Sequence, residues 1–151
     1  MSCLASLDFD FNGLDKEFAA LDQTGEIAKE ILSAAVKPLE RALKRHCDKH
    51  KRTGKMSESI EATKVERYSN GAYFSFVRPT GKNTQYVDEH GKVRKRKKPV
   101  RNMALLAYIE YGTSKQPREP IIENAIRDSE SQCTTIMQQK FDEYINRKGG
   151  G

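Results

Sequence analysis

The stretch YIEYGTSKQPREPIIENAI, residues 108–126, joins one apolar run to another through a polar loop that holds two prolines. Gly112 stands where a helix closes on left-handed backbone. Pro117 and Pro120 hold the residues before them extended. Pro120 also suits the first turn of a new helix, where its missing N–H has no partner to lose. The stretch therefore predicts a short helix, MALLAYIEY, capped by Asn102, then a conformationally restricted loop, then a second helix leaving in a fixed direction. It reads as a rigid bracket.

Outward from the bracket, periodicity supplies the other elements. Downstream, Ile121, Ile122, Ala125, Ile126, Cys133, Ile136, Met137, Phe141, Tyr144 and Ile145 trace one helical stripe, and residues 149–151 read as a frayed Gly tail. Upstream, Ile27, Ile31, Leu32, Ala35, Val36, Leu39, Leu43 and Cys47 follow the same rule from an N-cap at Thr24. Pro38 inside that pattern should kink the helix or split it. Between the helices, residues 60–68 and 72–78 are rich in β-branched and aromatic side chains around Asn70-Gly71, which predicts a hairpin with a two-residue type I′ turn. A second, polar hairpin is expected over residues 84–101, with Glu89-His90-Gly91 as its turn and both faces wet. Residues 1–23 read as an acidic arm, or as a short helix around residues 14–21, and residues 24–148 as a single domain.

The chain has 151 residues, enough for one modest core, with 36% hydrophobic residues and no Trp. No apolar run approaches the roughly 18 residues needed to cross a bilayer. The N-terminal residues lack the basic start and apolar stretch of a signal peptide, so a soluble intracellular protein is expected. Cys3, Cys47 and Cys133 are an odd number without a CxxC pair, which argues against a disulfide framework or zinc knuckle. Cys47 and Cys133 are expected as reduced core residues.

The net charge of +6 is unevenly placed. Lys92, Arg94, Lys95, Arg96, Lys97, Lys98 and Arg101 put seven positive charges into residues 92–101, and the rest of the chain is left with −1. Such a tract suits phosphates or an acidic protein surface. It contains no aromatic residue, and only Tyr86 is near, so a nucleic-acid contact there would be to the backbone and would not select sequence.

Signs of catalysis are thin. GxSxG, HExxH and a Gly-rich phosphate loop are all missing from the sequence. His46, Cys47 and His50 are the sharpest metal candidate, since His at i and i+4 share a helix face. Arg45, Lys49 and Lys51 surround them and would repel a cation, so no metal or other cofactor is expected. His90 reads as solvent-exposed. Glu110 is the one carboxylate inside an apolar pattern, and it could bond to backbone N–H groups of the bracket or pair with Arg118.

Two motifs in combination carry a resemblance. Thr53, Gly54, Ser59 and Ile60, with Met56 in the hydrophobic position, follow the first long helix. Tyr108, Glu110, Tyr111, Gly112, Thr113, Pro117, Arg118 and Pro120 open the last one. Together they resemble the tail-component family of long-tailed bacteriophages, the tail-completion or head–tail joining proteins of the neck. Glu119 and Ile121 depart from the family pattern, which often has an Arg or small residue before the last Pro and a Phe after it. The resemblance implies an α+β fold, with a long N-terminal helix and a C-terminal helix packed on a small, mostly antiparallel sheet. It further implies a non-enzymatic virion protein forming a hexameric ring through which DNA passes, with other neck and tail proteins as partners and no membrane. The alternatives are a small nucleic-acid-binding module using residues 92–101 and, more remotely, a metal-dependent enzyme using His46 and His50. Within the ring reading, the basic hairpin is expected to meet acidic protein surface rather than DNA, because a channel that lets DNA slide should not grip it.

Overall fold

The computed structural model describes residues 5–6, 24–50 and 53–149. The expected acidic arm lies outside these apart from β1 (Ala5–Ser6), as do Cys3 and residues 150–151 of the expected Gly tail. The fold is α+β: two long helices and a small antiparallel sheet of short strands.

Helix α1 (Thr24–Asp48) buries the whole predicted stripe, from Ile27 to Cys47. Helix α4 (Ile121–Gly149) buries Ile121, Ile122, Ala125, Ser129, Cys133, Met137 and Tyr144 against it. At 1.5 Å per residue the two span about 37 and 43 Å. Cross-links show that they run antiparallel. Arg147 meets Glu30 at 3.0 Å near one end, and His46 meets Asp128 at 2.7 Å near the other. The stripe on α4 fails only at its end, where Ile145 is exposed.

Pro38 does not split α1, although a proline there removes one helical hydrogen bond and crowds the preceding turn. Pro38 is itself buried, between Val36 and Leu39 of the core. Apolar burial on both sides of the proline favours one continuous helix over two.

The core has two parts along the helix pair. One gathers Leu39, Leu43 and Cys47 with Ile60, Val77, Leu106, Ile122 and Cys133; the other gathers Ile27, Ile31 and Ala35 with Met137 and Tyr144. Ile60 and Val77 come from the sheet. Strand β5 (Phe76–Pro79) pairs antiparallel with β2 (Ile60–Ala62) on one side and with β1 on the other.

The first predicted hairpin exists but is broken. Its outer half is a separate pair, β3 (Glu66–Arg67) with β4 (Tyr73–Phe74), in a register one residue off from β2 and β5. Hydroxyl groups stitch the discontinuity: Ser75 Oγ donates to Thr63 O at 2.8 Å, and Phe76 N donates to Thr63 Oγ1 at 2.9 Å. The expected type I′ turn is also corrected. Gly71 alone has positive φ, and Gly71 N bonds to Tyr68 O while Tyr68 N bonds to Ala72 O. This is a three-residue loop of the type I plus bulge kind, which needs one positive φ instead of two.

The second hairpin pairs β6 (Lys82–Val87) with β7 (Val93–Arg101), and its tip closes at Glu89-His90-Gly91 as expected. Helix α2 (Lys55–Glu58) is a single turn before β2, and helix α3 (Asn102–Tyr111) follows β7 directly. Asn102 does not cap α3. Arg101 occupies the cap position without a side-chain bond, and Asn102 is buried, with its Nδ2 donating to Thr80 O at 2.7 Å and its N–H to Gly81 O at 3.1 Å. The amide ties α3 to the β5–β6 connection, which takes it away from its own helix end.

Candidate functional site

The bracket is held by backbone bonds. Thr113 N donates to Gln116 O at 2.9 Å, and Glu119 N donates back to Ile109 O at 2.9 Å. Gly112 has positive φ, as expected, but its ψ of 175° puts it in an extended conformation rather than the left-handed helical cap anticipated. That region of backbone space is open essentially to glycine only. Space requires glycine as well, because a Cβ at this position would sit 2.8 Å from Arg118 N and 3.0 Å from Gln116 O. Pro120 also shifts by one place. Its carbonyl accepts from Asn124 N, so it stands just before α4 rather than inside the first turn.

Glu110 resolves its two alternatives in favour of the backbone. The side chain is buried, and Oε2 accepts the N–H of Ile122 at 2.8 Å. It therefore caps α4 from the end of α3. A carboxylate there satisfies one of the helix's unpaired N–H groups and faces the positive end of its dipole. Arg118 turns away and meets Glu123 at 3.2 Å. Tyr108 and Tyr111 are both half-exposed on α3, while Thr113 and Pro117 lie at the surface of the loop.

The other motif segment folds as a tight entry to the sheet. Gly54 takes a left-handed conformation ahead of α2, and its carbonyl accepts Glu58 N at 3.0 Å. Ser59 Oγ donates to Met56 O at 2.7 Å, and Ser59 O accepts both Thr80 N and Thr80 Oγ1. Ile60 is 1% exposed in the core.

The fold brings parts of these segments to one cleft of about 360 Å³. Thr53, Gly54 and Met56 line it from the first motif, Tyr108 and Gln116 from the second, and Tyr86 and Arg96 from the basic hairpin. Asn83, buried at the base of that hairpin, reaches Thr53 Oγ1 at 3.5 Å. Asn83 was invisible to sequence reading, since one amide in a polar strand has no periodic signature.

The three residues weighed as metal ligands diverge. His46 bonds to Asp128 at 2.7 Å, His50 pairs with Glu119 at 2.5 Å, and Cys47 is buried in the core. Burial pushes the Cys47 thiol up to about 12, with the negative charges of Asp48 and Glu110 adding to the shift. Burial raises the Cys133 thiol too. The hydrogen bond from His46 holds the Asp128 carboxyl below its usual range. The two His–carboxylate pairs fasten the end of α1 to the start of α4 and to the bracket. Both partners lie far along the chain, so sequence reading missed them.

Strand β7 is exposed almost throughout. Arg94 Nε bonds to Asp88 Oδ2 at 2.8 Å, and this bond holds the Asp88 carboxyl below its ordinary range. Arg96 folds inward, donating to Gln85 O at 3.0 Å with its guanidinium 5.6 Å from the Tyr86 ring centre. Lys92, Lys95, Lys97, Lys98 and Arg101 are exposed and enter no ion pair among the described residues. No helix among the described residues is long and apolar enough to cross a membrane. No family model, curated protein or solved structure matches the chain, so the tail-component resemblance rests on the residues of its two motifs alone.

Proposed function

We propose that the chain is a structural subunit of a bacteriophage neck or tail, assembling as a hexameric ring around the DNA channel together with other neck and tail proteins of the virion. The observation that carries this reading is the bonding of the bracket to itself and to its two helices. Glycine-only backbone at Gly112, paired N–H and C=O groups in the loop, and the Glu110 cap fix the angle between α3 and α4. A ring needs every copy to repeat one contact geometry, and a subunit whose helices are held at a set angle meets that need. The half-exposed Tyr108, which lines the cleft, is the kind of side chain that protein interfaces favour. A structural role also accords with where His46, Cys47 and His50 go: Cys47 into the core, His46 into a link between α1 and α4, and His50 into a pair with Glu119 of the bracket.

Native mass spectrometry of the purified chain, alone and with a tail-tube or connector partner, tests the proposal. The expected result is concentration-dependent self-association that sharpens to a single ring size when the partner is added. A strict monomer under every condition, also missing from images of native particles, would overturn it.

A further inference from the structure

We infer that the β6–β7 hairpin is a contact surface for the phosphate backbone of duplex DNA, one that reads no sequence. The inference does not depend on ring formation. It begins from how the seven cations divide. The two arginines nearest the strand centre are already engaged, Arg94 by Asp88 and Arg96 by Gln85 O and the Tyr86 ring. Four of the five cations left exposed and unpaired among the described residues are lysines.

That division bears on the kind of partner. Pairing held in one bidentate geometry, with a carboxylate or a phosphate alike, favours arginine, whose planar fork binds both oxygens at once. Lysine is a compact point charge on a long stem, suited to a repeating array of phosphates that need not be held in one geometry. The strand register adds to this. Asn83 pairs with Val100 and Gln85 with Lys95, so residues 96–99 stand opposite Thr84 alone. The extra length falls in the densest part of the tract and contains Lys97 and Lys98, both exposed.

Like charges packed this closely repel one another, and a polyanion that releases counterions on binding relieves the repulsion. Base readout is not provided for. The nearest aromatic ring, Tyr86, lies under the Arg96 guanidinium, and the tract itself has no aromatic residue to stack on a base. A contact made mainly by lysines is weak at physiological salt and permits sliding. This removes the objection that a DNA channel should not be lined by a basic loop.

The test uses the full-length chain and two 30-base-pair duplexes of unrelated sequence, with affinity measured by fluorescence anisotropy across salt. With about five phosphate contacts, affinity should fall roughly 500-fold between 50 and 200 mM salt, alike for both duplexes. The variant Lys92→Ser/Lys95→Ser/Lys97→Ser/Lys98→Ser keeps Arg94 and Arg96 and therefore the hairpin's internal bonds. It should lose most of the binding and reduce the salt effect to about 4-fold, with an unchanged melting temperature. Binding that survives in this variant would place the contact elsewhere and overturn the inference, as would a clear preference for one duplex. Failure of the wild-type chain to bind DNA, with self-association lost in the variant, would also overturn it and assign the lysines to an acidic surface on a second copy.

Discussion

The bracket and the basic hairpin are both connections between α1 and the final helix, yet they solve opposite problems. In the bracket the bonds close on the loop itself or on the helices beside it: Thr113 with Gln116, Glu119 with Ile109, and Glu110 with Ile122. In the hairpin the side-chain bonds hold the tip, the two arginines and the base, through Asp88, Gln85 and Asn83, and the lysine side chains are left to solvent. A region whose bonds point inward sets geometry. A region whose charges point outward offers itself to a partner. Stability and binding should therefore respond to mutation in separate places.

The sharpest break of this contrast is Gly112→Val. A β-branched residue at that φ costs about 1–3 kcal/mol in backbone strain alone, and the Cβ contact with Arg118 N, at 2.8 Å, adds to it. Thermal melts should show a clear loss of stability. An unchanged melting temperature would mean that the bracket relaxes at no cost, and the rigidity argument would fail with it.

Next in size is Glu110→Ala, which leaves the Ile122 N–H buried without its acceptor. A lost buried partner of this kind costs about 1–3 kcal/mol. Glu110→Gln keeps an acceptor oxygen, so chemical denaturation should rank the two variants with Ala the weaker. Equal losses would show that charge, rather than the hydrogen bond, is what the helix end requires.

Acid should weaken the junction between α1 and α4. The folded-state pKa of Asp128 lies below its ordinary value because of His46. Its contribution to stability is therefore complete above the ordinary carboxylate pKa and is lost as pH falls through the lower folded value. Asp128→Asn should flatten that part of the stability–pH curve. A curve that keeps its acid limb in the variant would assign acid sensitivity to other carboxylates.

The smallest effect on stability is expected from the four-lysine variant of the hairpin, within about 0.5 kcal/mol of the wild type. A larger loss would mean that those side chains support the fold, and the contrast between the two regions would collapse.

Much of this molecule was legible in the sequence because the relevant signals are local. The stripes on α1 and α4 repeat every three or four residues, and every residue named on them except Ile145 is buried or half-buried. Gly71, Gly91 and Gly112 each take the positive φ that their place in a turn requires. What the sequence left open were choices between partners distant along the chain. Glu110 had two plausible partners and bonds to Ile122, 12 residues on; His46 reaches Asp128, 82 residues on. Asn102 had the composition of a cap and was taken by Thr80. Pro38 had the look of a break and was carried through by the core around it. Backbone preference and periodicity act within a turn or two, so the residues themselves determine them. Which donor meets which acceptor, and which lysines stay free, depends on surfaces that exist only after the helices and sheet have packed.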